Sequence, residues 1–330
     1  MIGVCIVTYN EEKYIARCIE SVLSQKCKEP FRIYIGEDCS TDGTLYICKK
    51  YEEQFPSIIS LIQREENYGL VKNTVELLKR IKSEGCEYIA MLDGDDYWID
   101  DYKLEKEVSF LKDHSDFGLV HTNMHLLHND KWFEINRRKN VKSGYLFGNA
   151  KPSDTAIGNC TAMFRSNLLD CLDLDYFVKN NFMSVDYAMY TIFLYYTKFK
   201  FIDDFTAVWR RGHSSVSNTN SCLKQIAYLE NGVVAWQYFN RLFPEEYPIN
   251  DRAVGEFIDT SSFKIAFNMQ NYIMCKKYSE SPNIKIKSYL DRIKYISTKN
   301  KCLFYFISNL FTLKHYIGRY YEHIKYKLKF

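Results

Sequence analysis

Within the first hundred residues, four short apolar runs alternate with stretches of helical spacing. The runs are residues 2–7, Phe31–Ile35, Ile58–Ile62 and Tyr88–Leu92. Each is short and rich in β-branched or aromatic residues, as a strand buried on both faces should be. Between them Ile15, Cys18, Ile19, Val22 and Leu23, then Leu45, Cys48 and Phe55, then Val71, Val75, Leu78 and Ile81 recur at helical spacing. Strands alternating with helices of this length predict a mostly parallel sheet with helices on both faces. Asn10 reads as the N-cap of the first helix, with Glu11 and Glu12 in its first turn, and Asp42 as the cap of the second.

In sheets of this kind ligands bind at the carboxyl ends of the strands. Three polar clusters fall there: Thr8-Tyr9-Asn10, Glu37-Asp38 with Asp42, and Asp93-Gly94-Asp95-Asp96. The last is the most demanding. Carboxylates crowded at the end of a buried strand repel one another and resist desolvation unless a positive charge compensates them. A divalent cation such as Mg²⁺ or Mn²⁺ takes hard oxygen ligands and readily shares its shell with phosphate. Gly94 lets the backbone approach a ligand closely. The plain alternative is a polar turn that starts the next helix, with Asp96 or Asp100 as its cap. No G-x-G-x-x-G follows the first strand and no G-x-x-x-x-G-K-[ST] occurs, which argues against an ordinary dinucleotide fold and against a P-loop.

Phe117–Thr122 reads as a fifth strand, followed by a polar loop or hairpin with Arg137-Arg138-Lys139. His121, His125 and His128 raise a metal reading, but His128 points away from the other two on a strand. Ile157 to Arg165 reads as a turn and a strand, Asp186-Tyr187 opens a helix, Lys200–Trp209 is another strand, and the pattern is helical beyond Cys222. Eleven scattered cysteines without a C-x-x-C pair predict reduced, mostly buried thiols rather than a disulfide framework or zinc site. The opening residues read as a strand, not a secretion signal, and no apolar run nears the roughly 20 residues that span a bilayer.

Taken together, Val7-Thr8-Tyr9-Asn10, Glu37 to Thr44, Asn67-Tyr68-Gly69 with Asn73, Asp93-Gly94-Asp95-Asp96 and Asp186 resemble the motifs of a family 2 glycosyltransferase, in that family's order and roughly its spacing. The resemblance covers residues 1 to about 215. It implies a GT-A fold: an α/β domain over residues 1–215, with a nucleotide-sugar half at about 1–98 and an acceptor half at about 99–215, then a helical extension over 216–330. It implies an inverting enzyme that moves a sugar from a UDP-sugar to a hydroxyl of a saccharide or lipid-linked saccharide, probing the same polar strand ends. Thr8, Tyr9, Asn10 and Glu12 would surround the nucleotide base, and Asp38 would accept a hydrogen bond from uracil. Lys72 would face the nucleotide or diphosphate, Asp93 and Gly94 would lie against the ribose side of the donor, and Asp95 would hold Mn²⁺ or Mg²⁺. His213 matches a position that approaches the metal or the diphosphate in some relatives. Asp186 matches the general base. Trp98 reads as an acceptor-stacking or a packing residue, and Asn159 as a support of the acceptor loop or the end of a turn. One base suits direct displacement with inversion, whereas a glycosidase needs two carboxylates flanking the bond.

Lys301–Phe330 carries six Lys or Arg against one Glu, and nine of its residues are Phe or Tyr. That composition suits either a packed terminal helix or an anionic membrane surface. The expected setting is cytoplasmic, peripheral on the inner face of the plasma membrane, in surface-polysaccharide synthesis. Nucleic acid is not an expected partner, since the basic excess is confined to the tail. Competing readings are a sugar nucleotidyltransferase, whose glycine-rich basic loop would stand where Thr8 to Glu12 stand, and a non-catalytic sugar-binding scaffold, which has no need of Asp93, Asp95 and Asp186 together.

Overall fold

The computed structural model describes residues 1–128, 131–134, 157–183, 185–211, 221–245, 249–285 and 288–309. The chain divides into two compact units, Met1–His213 and Ser214–Phe330.

The first unit begins with four parallel strands, β1 (Ile2–Thr8), β2 (Phe31–Glu37), β3 (Ile59–Gln63) and β4 (Tyr88–Asp93), linked through α1 (Ile15–Leu23), α2 (Thr44–Gln54) and α3 (Gly69–Ser83). Their order is β3-β2-β1-β4. The chain first winds outward from β1 and then returns through α3 to the other side of β1. The gap above β1 and β4 is therefore a topological switch point, where a ligand crevice opens. Alternate residues of β1 explain why its run is unbroken: Ile2, Val4 and Ile6 pack with Ile15, Cys18, Ile19 and Val22 of α1 in one core, while α3 packs on β1 and β2. Truncating a buried residue such as Ile19 to Ala would cost about 2–5 kcal/mol.

The unit continues with β5 (Tyr97–Trp98), α4 (Lys103–Asp113), β6 (Phe117–His128), β7 (Lys131–Glu134), β8 (Ala162–Arg165), α5 (Leu174–Lys179), α6 (Val185–Phe193) and β9 (Lys198–Arg211). β8 runs antiparallel between β4 and β6. β6 and β9 pair in parallel with irregular register around Thr122, Asn123 and Met124, and β5 pairs antiparallel with β9. The sheet is thus mixed, in the order β3-β2-β1-β4-β8-β6-β9-β5 with β7 on β6.

Three local expectations change. The first helix starts at Ile15, not after Asn10, because Asn10 has a left-handed backbone (φ 56°) and Glu11 carbonyl already accepts from Tyr14 and Ile15. Asp42 sits one residue ahead of the cap position: its carboxylate accepts from the Thr44 amide at 3.0 Å, an Asx turn into α2. The fifth strand runs on to His128, since the His-rich half of β6 is covered by β9 and β7. His125 stacks on Phe205 and meets Trp132 edge-on, and His121 lies against Phe201. Arg137-Arg138-Lys139 lie outside the described residues.

The second unit is helical: α7 (Cys222–Leu242), α8 (Asp251–Asn268), α9 (Tyr272–Ser279) and α10 (Tyr289–Ser297). Ser221, Asn250, Asn271 and Ser288 each accept an amide hydrogen bond at a helix start, as short polar side chains do at N-caps. Its core gathers Cys222, Ile226, Phe263, Phe267, Cys275 and Phe304. Among the described residues no helix is long and apolar enough to cross a membrane. Most of the basic tail, 310–330, lies outside them.

Candidate active site at the ends of β1, β2 and β4

The three polar clusters meet because parallel neighbours end together. Thr8 of β1 is paired with Glu37 of β2, and Val7 with Asp93 of β4. Two further hydrogen bonds tie the ends: Asp38 N–H donates to the Thr8 carbonyl at 3.1 Å, and Gly94 N–H to the Val7 carbonyl at 2.9 Å. Gly94 is required by this closeness, because a Cβ there would lie 2.6 Å from Thr8 Oγ1 and 2.7 Å from Thr8 Cβ.

The loops after β1 and β2 are stapled to each other. Asn10 N–H donates to Ser40 Oγ at 2.9 Å, and the Asn10 side chain accepts from Thr41 N–H at 2.8 Å. Glu12 N–H donates to Asp42 at 3.1 Å, and the Glu12 carboxylate accepts from Gly43 N–H at 3.1 Å. Asp38 is buried and accepts from the amides of Tyr68 at 2.7 Å and Gly69 at 2.9 Å, fixing the turn that starts α3. Burial raises its pKa, with the two amides pulling the other way. Here Asn10, Glu12 and Asp38 build the loops. The Tyr9 ring stands free at 44% exposure. Lys72 Nζ lies 3.4 Å from the centre of the Tyr68 ring, held by cation–π attraction.

The turn after β4 is different. Asp93, Asp95 and Asp96 follow one another around a turn closed by Asp96 N–H on the Asp93 carbonyl at 2.9 Å. Asp93 is pushed up to about 7, first by burial and then by the negative charge of Asp95, with Asp186 and Glu11 adding to it. Asp96 is buried and raised by burial and by Asp95 and Asp93. Asp186, in the first turn of α6, is raised by burial against its backbone hydrogen bonds. Its charge adds to the upward shift of Asp93, although it stands on a distant helix.

The structure also brings in Arg210, Arg17 and Tyr190, which the sequence does not single out. Arg210, near the end of β9, donates its N–H to Asp96 at 2.8 Å and its side-chain Nε–H to the Asp95 carbonyl at 3.0 Å, with its guanidinium 4.2 Å from the Tyr14 ring centre. Arg17 lies 3.7 Å from the ring centre of Tyr97. Asn159 donates its side-chain N–H to Asp93, and the Tyr190 hydroxyl donates to Asn159. Asn159 thus reaches the donor-side acid rather than outward to an acceptor. Trp98 is 4% exposed, its indole N–H donates to the Cys160 carbonyl at 2.9 Å, and Lys103 Nζ lies 4.6 Å from its ring centre. Buried on all these contacts, the ring packs and has no face left for an acceptor sugar. His213 lies outside the described residues.

The donor set suits a cation that keeps part of its shell for a ligand. Among the described residues no three of His, Cys, Asp and Glu form a ready-made metal cage. What the turn offers is a pair of acids in mutual repulsion, beside a buried Thr8 hydroxyl without a hydrogen-bond partner. Phosphate oxygens commonly complete the shell of Mg²⁺ or Mn²⁺ bound by one or two carboxylates.

The chain belongs to glycosyl transferase family 2, whose sequence profile matches residues 3–173, just over half of its 330 residues. It is similar to the putative glycosyltransferase EpsE of Bacillus subtilis, 37% identical over 123 residues, which cover 37% of this chain and 42% of that protein. The chain spans less than half the length of the curated relatives it matches. Among solved structures it resembles Staphylococcus aureus TarS 1-349 in complex with UDP-GlcNAc, with a TM-score of 0.57 at 16% identity over 95% of this chain and 92% of that one. A mannosyltransferase from Pyrobaculum calidifontis, in complex with GDP-Man and Mn²⁺, gives 0.53 at 14% identity over 94% and 86%. These likenesses establish the GT-A-type fold.

Proposed function

We propose that this glycosyltransferase moves a sugar from a UDP-sugar to a hydroxyl of a saccharide or lipid-linked saccharide, with inversion at the anomeric carbon. The observation that carries the reading is the hydrogen-bonded link from Asp93, at the end of β4, through Asn159 to Tyr190 on α6, the helix whose first turn holds Asp186. The family membership and the UDP-GlcNAc held by a protein of the same fold support it.

In this reading Tyr9 lines the base, with Thr8, Asn10, Glu12 and Asp38 shaping its pocket through the stapled loops, and Lys72 faces the diphosphate. Mn²⁺ or Mg²⁺ held at Asp95, beside Asp93 and Gly94, would supply the positive charge that a departing diphosphate needs. The acceptor oxygen bonds to the anomeric carbon as that carbon's bond to the β-phosphate oxygen breaks. The acceptor proton passes to Asp186, and UDP leaves with the electron pair. Burial helps Asp186 in this role, because a base works best with a pKa nearer the operating pH. The biological setting follows as part of the same proposal: assembly of a surface polysaccharide at the cytoplasmic face of a membrane, with the basic tail at Lys301–Phe330 toward anionic lipid.

The test is product analysis. The chain is incubated with Mn²⁺, a panel of UDP-, GDP- and dTDP-sugars and oligosaccharide acceptors, and the anomeric configuration of the product is read by NMR. A product of configuration opposite to the donor supports the proposal. Retention would overturn the single-base mechanism, and turnover of GDP- or dTDP-sugars alone would overturn the uridine assignment.

A further inference from the structure

We infer that Asn159 and Tyr190 form a positioning relay, which fixes the donor-side carboxylate Asp93 relative to the helix that carries Asp186. The inference rests on the transferase reading above and extends it to two residues that need not touch a substrate.

The geometry is specific. Asn159 opens a short 3-10 turn, Asn159–Thr161, just before β8. Its Nδ2 donates to both oxygens of Asp93, at 3.0 and 3.2 Å. The Tyr190 hydroxyl donates to Asn159 Oδ1 at 2.9 Å. Chemistry fixes the direction of each bond. An amide NH₂ donates and a carboxylate oxygen accepts, so the NH₂ faces Asp93. Its carbonyl oxygen is then left to Tyr190, whose hydroxyl must donate.

Tyr190 is 1% exposed, so it acts through Asn159. It stands on α6 four residues after Asp186, and positions i and i+4 share a helix face. The relay therefore begins on the helix of the proposed base and ends on the acid of the proposed donor site. The turn between them is itself anchored. Thr161 hydroxyl and N–H both donate to the Gly158 carbonyl, at 2.7 and 2.9 Å, and the Cys160 carbonyl accepts from Trp98 Nε1. Such a support keeps a carboxylate from rotating away and holds two reacting partners at a set separation, which is how residues outside the contact layer affect metal sites and rates. The buried hydroxyl is spent on orienting Asn159.

The test uses the full chain, UDP with MnCl₂ in a calorimeter, and UDP release from UDP-GlcNAc, UDP-glucose and UDP-galactose in the presence of oligosaccharide acceptors, with kcat expressed per UDP-binding site. Tyr190→Phe removes one oxygen and keeps the ring. It should lower kcat by about tenfold while leaving the donor KM within about twofold. Asn159→Ala frees Asp93 directly and should weaken UDP–Mn²⁺ binding by about 10–100-fold. A merely structural role would reduce the number of binding sites and leave kcat per site unchanged. The relay is overturned if Tyr190→Phe keeps wild-type kcat per site, or if Asn159→Ala binds UDP–Mn²⁺ as wild type does. A wild type that binds UDP–Mn²⁺ but releases none from any sugar would defeat the transferase reading, while the Asn159→Ala binding result would still judge the relay.

Discussion

Two groups of acids stand at neighbouring strand ends and have opposite fates. After β2, Asp38 and Asp42 are taken up by the chain's own amides, at Tyr68, Gly69, Thr44 and Glu12. Burial opposes Asp42, yet the hydrogen bonds from Thr44 and Glu12 leave it below the ordinary carboxylate value. After β4, Asp93 and Asp96 are driven up by burial and by each other's neighbours, with Asn159 and Arg210 as partial relief. The first group consists of structural carboxylates that have found their donors. The second is a crowd of carboxylates in which burial and neighbouring acids push Asp93 and Asp96 toward the protonated form, a cost that a bound cation would relieve.

The comparison can be broken most forcefully at Asp186. Asp186→Asn keeps the shape and removes the base, so UDP-sugar turnover should fall by about 10²–10⁴-fold, the range of a positioned general base. Thermal unfolding should hardly change. Near-normal turnover would remove Asp186 from the chemistry. Asp38→Ala should do the reverse: the amides of Tyr68 and Gly69 lose their acceptor inside the protein, at about 2–3 kcal/mol. Urea unfolding measures it. An unchanged midpoint would mean that Asp38 is spare, and so free to serve a ligand as the sequence alone suggests.

A third acid sharpens the contrast. Glu107 is fully buried with Lys103, their side chains 2.7 Å apart, and burial still lifts it to about 7 despite that lysine. Its folded pKa lies above the unfolded one, so its contribution is fully present below about 4.5 and is lost as pH rises through about 7. Glu107→Gln should flatten the fall in stability over that window, by on the order of 1–3 kcal/mol. Unfolding free energies of both proteins at several pH values check it, and parallel curves would show that Glu107 does not titrate there.

The parallel half was legible because its signal is local. Ile2 to Val7 or Tyr88 to Leu92 announce buried strands by composition alone, and the switch point follows from their alternation with helices. The antiparallel half was less so. The second half of β6 carries His121, His125 and His128, residues with no strand signature, and it is a strand because β9 and β7 flank it. Within the site, Asp93, Asp95 and Asp186 were readable from motif order. Asn159 was singled out as a support of the acceptor loop or the end of a turn, not as a partner of Asp93 66 positions away, and Tyr190 and Arg210 reach their partners across 31 and 115 positions, distances at which no spacing rule operates. The i+4 step from Asp186 to Tyr190 was the available hint. Trp98 stayed between stacking and packing, because an aromatic beside an acidic turn suits either, and burial is what favours packing.

The central claim is that the turn after β4 is a cation-dependent nucleotide site. The most direct measurement is calorimetric titration of UDP with and without Mn²⁺, on wild type and on Asp95→Ala. Binding should need both the metal and Asp95. Equal UDP binding by both proteins, or binding indifferent to Mn²⁺, would contradict it.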